Sequence, residues 1–528
     1  MFDAVILEGW VLDGSGAPAL RLDIGIRDGK IAALGNLSDT EAGAVYRAAG
    51  QTVTPGFLDI HRHGDLAVFR PDFGELELRQ GLTAIVNGNC GMSAAPFGPE
   101  HRREILDYLS PVIGIDASVP NESVSDYLDA VRASGPPLHV GLLAGSGVIR
   151  ADVSGFAAGA LTRGQLRAVH RRIEKALAEG ALGVSLGLGY APDCFYDTHG
   201  LIDALAPLRD GAIPLTVHIR DEGSNVDKSV SEMLDVARAL NCPLEISHLK
   251  AIGMENWQRK IPAVLEALTR ARAEGLRVRW DAYPYTAGST QLLHVLPPEF
   301  LAGGPEVLTR RLGEPAVRAQ IRARLAEGED YNNIARLVGW ENIIVSSLHQ
   351  PENRDTLGLS IPEAAARRGM DEVDFTLELL RSEHCAVTMI DYITCEEDLK
   401  AILRSDAVSL ISDATYPATG KPHPRLYGSF VRLIDRYVNQ LHILSLPEAV
   451  RKMTLAPAEA LGLRQKGRIA VGADADLLIF DPAALHEAGS YEDPARFARG
   501  IDDVFVAGIP VLLEGTLTGA RPGHIITG

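Results

Sequence analysis

Cysteine is scarce. Five occur in 528 residues, at Cys90, Cys194, Cys242, Cys385 and Cys395, with no Cys-x-x-Cys pair. An odd, scattered set excludes a disulfide framework and fits a reducing compartment, so a cytoplasmic location is expected. Any cysteine that matters is then expected to be a ligand or nucleophile rather than a staple. Basic residues are also in deficit: 51 Lys and Arg against 69 Asp and Glu leave a net charge of −18. That balance argues against nucleic acid or an anionic membrane surface as partner, while leaving room for a local cationic pocket that takes an anionic small molecule. No run approaches the roughly 18 apolar residues of a membrane span. The start, Met1-Phe-Asp-Ala-Val-Ile-Leu-Glu-Gly-Trp10, lacks the basic region and cleavage site of a signal peptide. Internal repeats and low-complexity tracts are missing too. What remains, 46% hydrophobic and 23% charged, is the composition of an ordinary globular protein, too long for one typical domain.

Three short β-like runs open the chain (Ala4–Glu8, Leu22–Arg27, Lys30–Gly35), separated by Asp13-Gly14 and Asp28-Gly29 turns. The last seventy residues return to that style in Ala475–Asp481 and Asp503–Leu513. Neither end can close a core alone, so both are expected in one small β-sandwich, built from residues 1–54 and 460–528. Between them strands and amphipathic helices alternate. Strand candidates are Gln51–Ile60, Ala84–Gly88, His139–Leu143, Leu182–Leu186, Pro214–Ile219, Leu244–Leu249, Arg277–Tyr283 and Val408–Ser412, eight in all. Helical patterns lie at Thr162–Glu179, Val230–Leu240 and Ile261–Glu274, and capping boxes open helices at Ser360 and Ser445. The pattern predicts an α/β fold: a (β/α)8 TIM-like barrel over residues 55–459, with an insertion at about 286–380 that forms a lid or wall over the site. Two further strand-like runs, Ile343–Ser347 and Ala386–Ile390, make the barrel count ambiguous. Arg310-Arg311, Arg322 and Arg324 in the insertion read as a solvated helix face rather than a site for an acidic substrate.

Chemistry-bearing residues stand at the C-terminal ends of these strands, where a barrel places its active site. His61 and His63 follow the first strand in Gly56-Phe-Leu-Asp-Ile-His-Arg-His63, and side chains two apart on a strand point the same way. Cys90 lies in the glycine-rich turn Asn87-Gly-Asn-Cys-Gly-Met-Ser93. His218 ends the fifth strand, His248 the sixth and Asp413 the last. Four imidazoles, a thiolate and a carboxylate form a zinc-type ligand list with room for one or two ions. Lys250, two beyond His248, shares the metal-facing side if the strand continues.

With these residues the chain resembles the amidohydrolase superfamily, and within it the N-acyl-D-amino-acid deacylases (D-aminoacylases). The resemblance rests on the His61 and Cys90 motifs, Gly183-Val-Ser-Leu-Gly-Leu-Gly-Tyr190, His218-Ile-Arg-Asp-Glu-Gly223, Ile246-Ser-His-Leu-Lys250, Asp281-Ala-Tyr-Pro-Tyr-Thr-Ala-Gly-Ser289 and His423-Pro-Arg-Leu-Tyr-Gly428. It implies a tight zinc on Cys90, His218 and His248, and a weaker second site on His61 and His63 with Cys90 between. It implies Asp413 as general base, and an N-acyl amino acid as the small-molecule substrate. Lys250, Tyr190, Tyr283, Ser289 and Arg425 fall in motifs that hold the substrate carboxylate, Arg425 being suited to bidentate binding.

The chain departs from the family pattern at Gly145-Ser146, where Gly-His is common, at Leu249, where a second histidine often follows His248, and at Ala414, where Gly is usual. None removes a ligand; all bear on pocket shape. A cyclic-amide hydrolase of dihydroorotase or hydantoinase type is the alternative, but it would want a bridging lysine, and the third and fourth strands contain none. A non-catalytic, metal-binding barrel would need neither Asp413 nor a complete ligand set.

Overall fold

The computed structural model describes all residues except 115, 117, 329, 418 and 528. Eight parallel strands form a barrel: β1 (Phe57–Asp59), β2 (Leu82–Asn87), β3 (His139–Leu142), β4 (Val184–Gly187), β5 (Leu215–His218), β6 (Leu244–Ile246), β7 (Val278–Ala282) and β8 (Val408–Leu410). Each of the eight overlaps one of the strands expected from sequence. Ladders run β1–β2–β3 and β4–β5–β6–β7–β8. Ala144 N–H donating to the Gly183 carbonyl joins β3 to β4. The ring closes where Ala414–Thr415 pairs in parallel with Arg62–His63.

Period-two alternation explains which side chains reach the site. Leu215 and Val217 of β5 join the core beneath the helices, so Thr216 and His218 turn to the opposite face. Helices predicted from periodicity appear at Arg163–Ala178, Val226–Leu240 and Lys260–Ala273. Both capping boxes form, ahead of Ile361–Arg368 and Leu446–Met453.

The expected single strand Gln51–Ile60 is in fact two. Thr52–Pro55 belongs to the terminal sheet, and β1 begins after Gly56. A Cβ at Gly56 would sit 2.1 Å from Thr83 Oγ1, so only glycine lets the chain pass from one layer to the other at this point. Thr52–Pro55 pairs antiparallel with Leu477–Phe480, which stitches the two chain ends together in a nine-stranded sheet around its own core of Ile6, Ile24, Val53, Ile479 and Phe505. This is the β-sandwich expected from both termini. It includes a strand that the sequence reading missed, Ala42–Arg47.

The long β7–β8 connection contains an antiparallel sheet of Ala287–Gln291, Thr388–Tyr392 and Ile343–Ser347. Both surplus strand-like runs belong to this sheet and not to the barrel. Arg322 and Arg324 pair with acidic neighbours on its outer helices, Arg322 with Asp371 and Asp374, Arg324 with Glu299 and Asp330. Among the described residues no helix is long and apolar enough to cross a membrane.

Candidate metal centre and substrate cavity

The candidate ligands converge at the C-terminal mouth of the barrel. Cys90 Sγ lies 3.2 Å from His61 Nε2 and 3.5 Å from His248 Nε2, and His218 Nδ1 lies 3.1 Å from His248 Nε2. Two trios result, His61–His63–Cys90 and Cys90–His218–His248, sharing the sulfur; all six residue positions in them are buried. Ligand atoms around one tetrahedral zinc, at bonds of about 2.0–2.3 Å, lie roughly 3.3–3.6 Å apart. The donor set therefore fits a zinc ion. Its electrostatics fit as well. Burial lowers His61 to a pKa of about 3 and His218 well below the usual imidazole range, so both offer neutral lone pairs. The same burial pushes the Cys90 thiol up, and a bound cation is what would make it a thiolate.

Backbone geometry at these strand ends is strained. Cys90, His248 and Asp413 have φ of 54°, 35° and 51°, values that residues with a Cβ seldom adopt. The turns that follow β2, β6 and β8 each spend conformational energy to aim one functional side chain inward.

Asp413 faces the first trio. Its Oδ1 lies 3.2 Å from His63 Nε2 and 3.5 Å from His61 Nε2, and its Oδ2 lies 2.8 Å from Arg425 Nη1. Burial alone would raise its pKa, but Arg425 and His63 overrule it and hold the carboxyl well below the ordinary range. Between the two histidines Arg62 turns away. It is fully buried, 3.0 Å from Asp59, 3.2 Å from Glu77 and 2.6 Å from the Tyr416 hydroxyl. Ser412 donates to Asp59 through both its amide and its hydroxyl. This network ties the start of the barrel to its end, directly behind His61, His63 and Asp413.

A cavity of about 670 Å³ opens above the ligands, lined among others by Tyr190, His218, His248, Lys250, Tyr283, Ser289, Asp413 and Arg425. Lys250 reaches it from a loop, because β6 stops at Ile246 and the expected strand does not continue past His248. Lys250 and Arg425 flank the Tyr283 ring at 5.9 and 5.0 Å, and Arg425 also donates to the Ser289 carbonyl at 3.0 Å. Tyr190 stands apart from that group. Its ring packs 4.3 Å from His218, and its hydroxyl meets Thr290 at 3.3 Å.

Sequence reasoning missed Glu222 and Asp281. Glu222 Oε1 lies 3.0 Å from His248 Nδ1 and accepts from Lys250 Nζ at 2.6 Å. The Asp281 carboxylate accepts the His248 amide and lies 3.7 Å from His61 Nδ1. Such partners fix the tautomer and orientation of metal-binding imidazoles. Both acids stand in the motifs quoted above, four residues after His218 and at the head of Asp281-Ala-Tyr-Pro, where spacing alone did not distinguish them.

A model described as "Amidohydrolase family" matches residues 360–512. The D-aminoacylase of Alcaligenes xylosoxydans xylosoxydans is 32% identical, over 99% of this chain and 97% of the relative. An N-acyl-D-glutamate deacylase of the same organism is 34% identical, over 99% and 96%. The crystal structure of the N-acyl-D-glutamate deacylase of Bordetella bronchiseptica, complexed with zinc and a phosphonate mimic of the tetrahedral intermediate, superposes with a TM-score of 0.84 at 30% identity, covering all of both chains. End-to-end likeness at this level, together with the ligand geometry, shows that the chain belongs to the D-aminoacylase family of amidohydrolases.

Proposed function

We propose that this protein is a zinc-dependent hydrolase that removes the acyl group from N-acyl-D-amino acids, releasing a carboxylate and a free D-amino acid. The observation that supports this reading best is the juxtaposition of Asp413, two metal-competent trios sharing Cys90, and the Lys250–Arg425 pair across one cavity. Cys90, His218 and His248 would hold the tight zinc, and His61 and His63, with Cys90, a weaker second ion. Zinc held there would polarise the scissile carbonyl and lower the pKa of water toward about 7.

Asp413, ionised under the influence of Arg425, takes the proton from the attacking water and returns it to the leaving nitrogen. Arg425, Lys250, Tyr283 and Ser289 hold the amino acid's own carboxylate, so that the amide lies over the metal ligands. Tyr190 contributes a wall packed on His218. We assign residues 55–459 to the barrel, 1–54 and 460–528 to the sandwich, and about 286–380 to the wall of the cavity. The reaction is placed in the cytoplasm, on a small molecule, with no nucleic-acid or membrane partner.

The test is amino-acid release from N-acetyl-D- and N-acetyl-L-amino acids, with dihydroorotate and hydantoin alongside, with zinc supplied and after chelation. Zinc-dependent release from the D-substrates alone is expected. Turnover of the cyclic amides only would replace the substrate class with the alternative, against which the lysine-free end of β4, Val184-Ser-Leu-Gly187, already counts.

A further inference from the structure

The cavity has a distinctive charge inventory. Six carboxylates line it (Asp221, Glu222, Glu232, Asp330, Asp391 and Asp413) against four cations (Arg220, Lys228, Lys250 and Arg425). Three of these cations are already matched by acids. Lys250 lies 2.6 Å from Glu222, Arg425 2.8 Å from Asp413 and Arg220 3.0 Å from Glu232. Arg220 also donates to the carbonyls of Cys194 and Tyr196. Lys228 is exposed at the rim and donates to Asn225 Oδ1. His294, in the same wall, is held neutral by burial, with a pKa of about 3.

Asp391 is the acid left over. It is only 3% exposed, and its Oδ1 has no hydrogen-bond partner among the described residues. It sits on the strand Thr388–Tyr392 directly across from Gly288, and a Cβ at that glycine would stand 3.0 Å from Oδ1 and 3.4 Å from the Tyr283 hydroxyl. With no side chain at Gly288, the buried Asp391 carboxylate packs into the cavity wall between Tyr283 and Ile393. Much of the remaining wall is apolar: Leu188, Ile252, Leu296, Leu301, Ile334 and Ile393.

We propose that the side-chain subsite selects neutral, apolar D-amino acids and rejects acidic ones, with Asp391 as the specificity-determining residue. This inference rests on the deacylase reading, in which Lys250 and Arg425 are committed to the substrate's own carboxylate. Among the described residues that line the cavity, a second carboxylate would then find no unclaimed buried cation and would meet the charge of Asp391. A like charge about 6 Å away, at an effective dielectric near 20, lowers affinity on the order of 100-fold. An apolar side chain instead gains from covering the aliphatic wall.

The experiment is kcat/KM for N-acetyl-D-leucine, N-acetyl-D-phenylalanine, N-acetyl-D-glutamate and N-acetyl-D-aspartate with the zinc-loaded wild type, Asp391→Asn and Lys228→Ala. The neutral substrates should lead by on the order of 100-fold, Asp391→Asn should narrow that ratio about tenfold, and Lys228→Ala should leave it unchanged. Should Asp391→Asn fail to fold, inhibition of the wild type by the free products decides: D-leucine is expected to compete better than D-glutamate. A preference for D-glutamate or D-aspartate, a ratio indifferent to Asp391→Asn, or selective loss of acidic-substrate turnover in Lys228→Ala overturns the proposal while sparing the deacylase reading. Turnover of none of the four overturns both.

Discussion

Nζ of Lys250 rests 2.6 Å from Oε1 of Glu222, and that oxygen also faces Nδ1 of His248 at 3.0 Å. One carboxylate thus orients a candidate zinc ligand and a candidate substrate cation together. Burial would raise the Glu222 pKa, but His218, Lys250 and His248 bring it far below the usual range, so the group is ionised. Glu222→Gln keeps the shape and removes the charge. Zinc affinity should fall 10–100-fold, with a rise in KM as Lys250 loses its anchor. A competition titration against a chelator measures the first effect, and an unchanged zinc affinity would remove Glu222 from the metal's support.

Asp413→Asn should keep the zinc content and the fold while kcat drops by about 10²–10⁴. Its contacts to His61, His63 and Arg425 are those of an ionised carboxylate, and the amide cannot accept the water's proton. Zinc per chain, circular dichroism and single-turnover rates separate the two effects. A rate near that of the wild type would refute the general-base role.

Cys90 belongs to both ligand trios, whereas His63 belongs to one. Cys90→Ala should therefore strip the tight metal, and His63→Ala should spare it. Elemental analysis of the two variants after dialysis is the measurement. Equal zinc in Cys90→Ala and wild type would sink the shared-sulfur arrangement.

His294 offers a pH prediction. Burial lowers its pKa from 6.5 to about 3, and neither ring nitrogen finds a hydrogen-bond partner among the described residues. A depressed folded-state pKa gives stability that is present above pH 6.5 and is lost as the pH falls from 6.5 toward 3, because the unfolded chain takes up the proton first. Melting temperatures between pH 7 and 4.5 should fall less steeply for His294→Gln than for wild type, by up to one proton, about 1.4 kcal/mol per pH unit. Parallel slopes would show that His294 does not drive the loss.

The barrel was legible in the chain because its strands show the same signal repeatedly: apolar residues facing the helices and, in several of them, a polar residue held back at the C-terminal end. His218 after Leu215-Thr-Val and His248 after Leu244-Glu-Ile-Ser are readable that way. Ala42–Arg47 is not, since Ala-Gly-Ala-Val-Tyr-Arg has only a faint alternation and lies half-exposed. Ala287–Gln291 is small and polar and becomes a strand only through pairing with Thr388–Tyr392. Glu222, Asp281 and Asp391 escaped for the same reason. Their places are set by which loops and strands come together in space, and no local spacing encodes that. Lys250 shares the metal-facing side by alternation only if its strand continues; the strand stops at Ile246, and the side chain reaches the cavity from the loop instead.

The pairing of Ala414–Thr415 with Arg62–His63 joins segments some 350 residues apart in the chain. His61 and His63 can meet Asp413 only once the final strand has docked against the first. Hydrolysis by this protein is therefore a readout of a completed hoop: no amino-terminal fragment that stops short of Asp413, however well folded, contains the site, and a break in the last clasp should extinguish turnover before it unravels the rest.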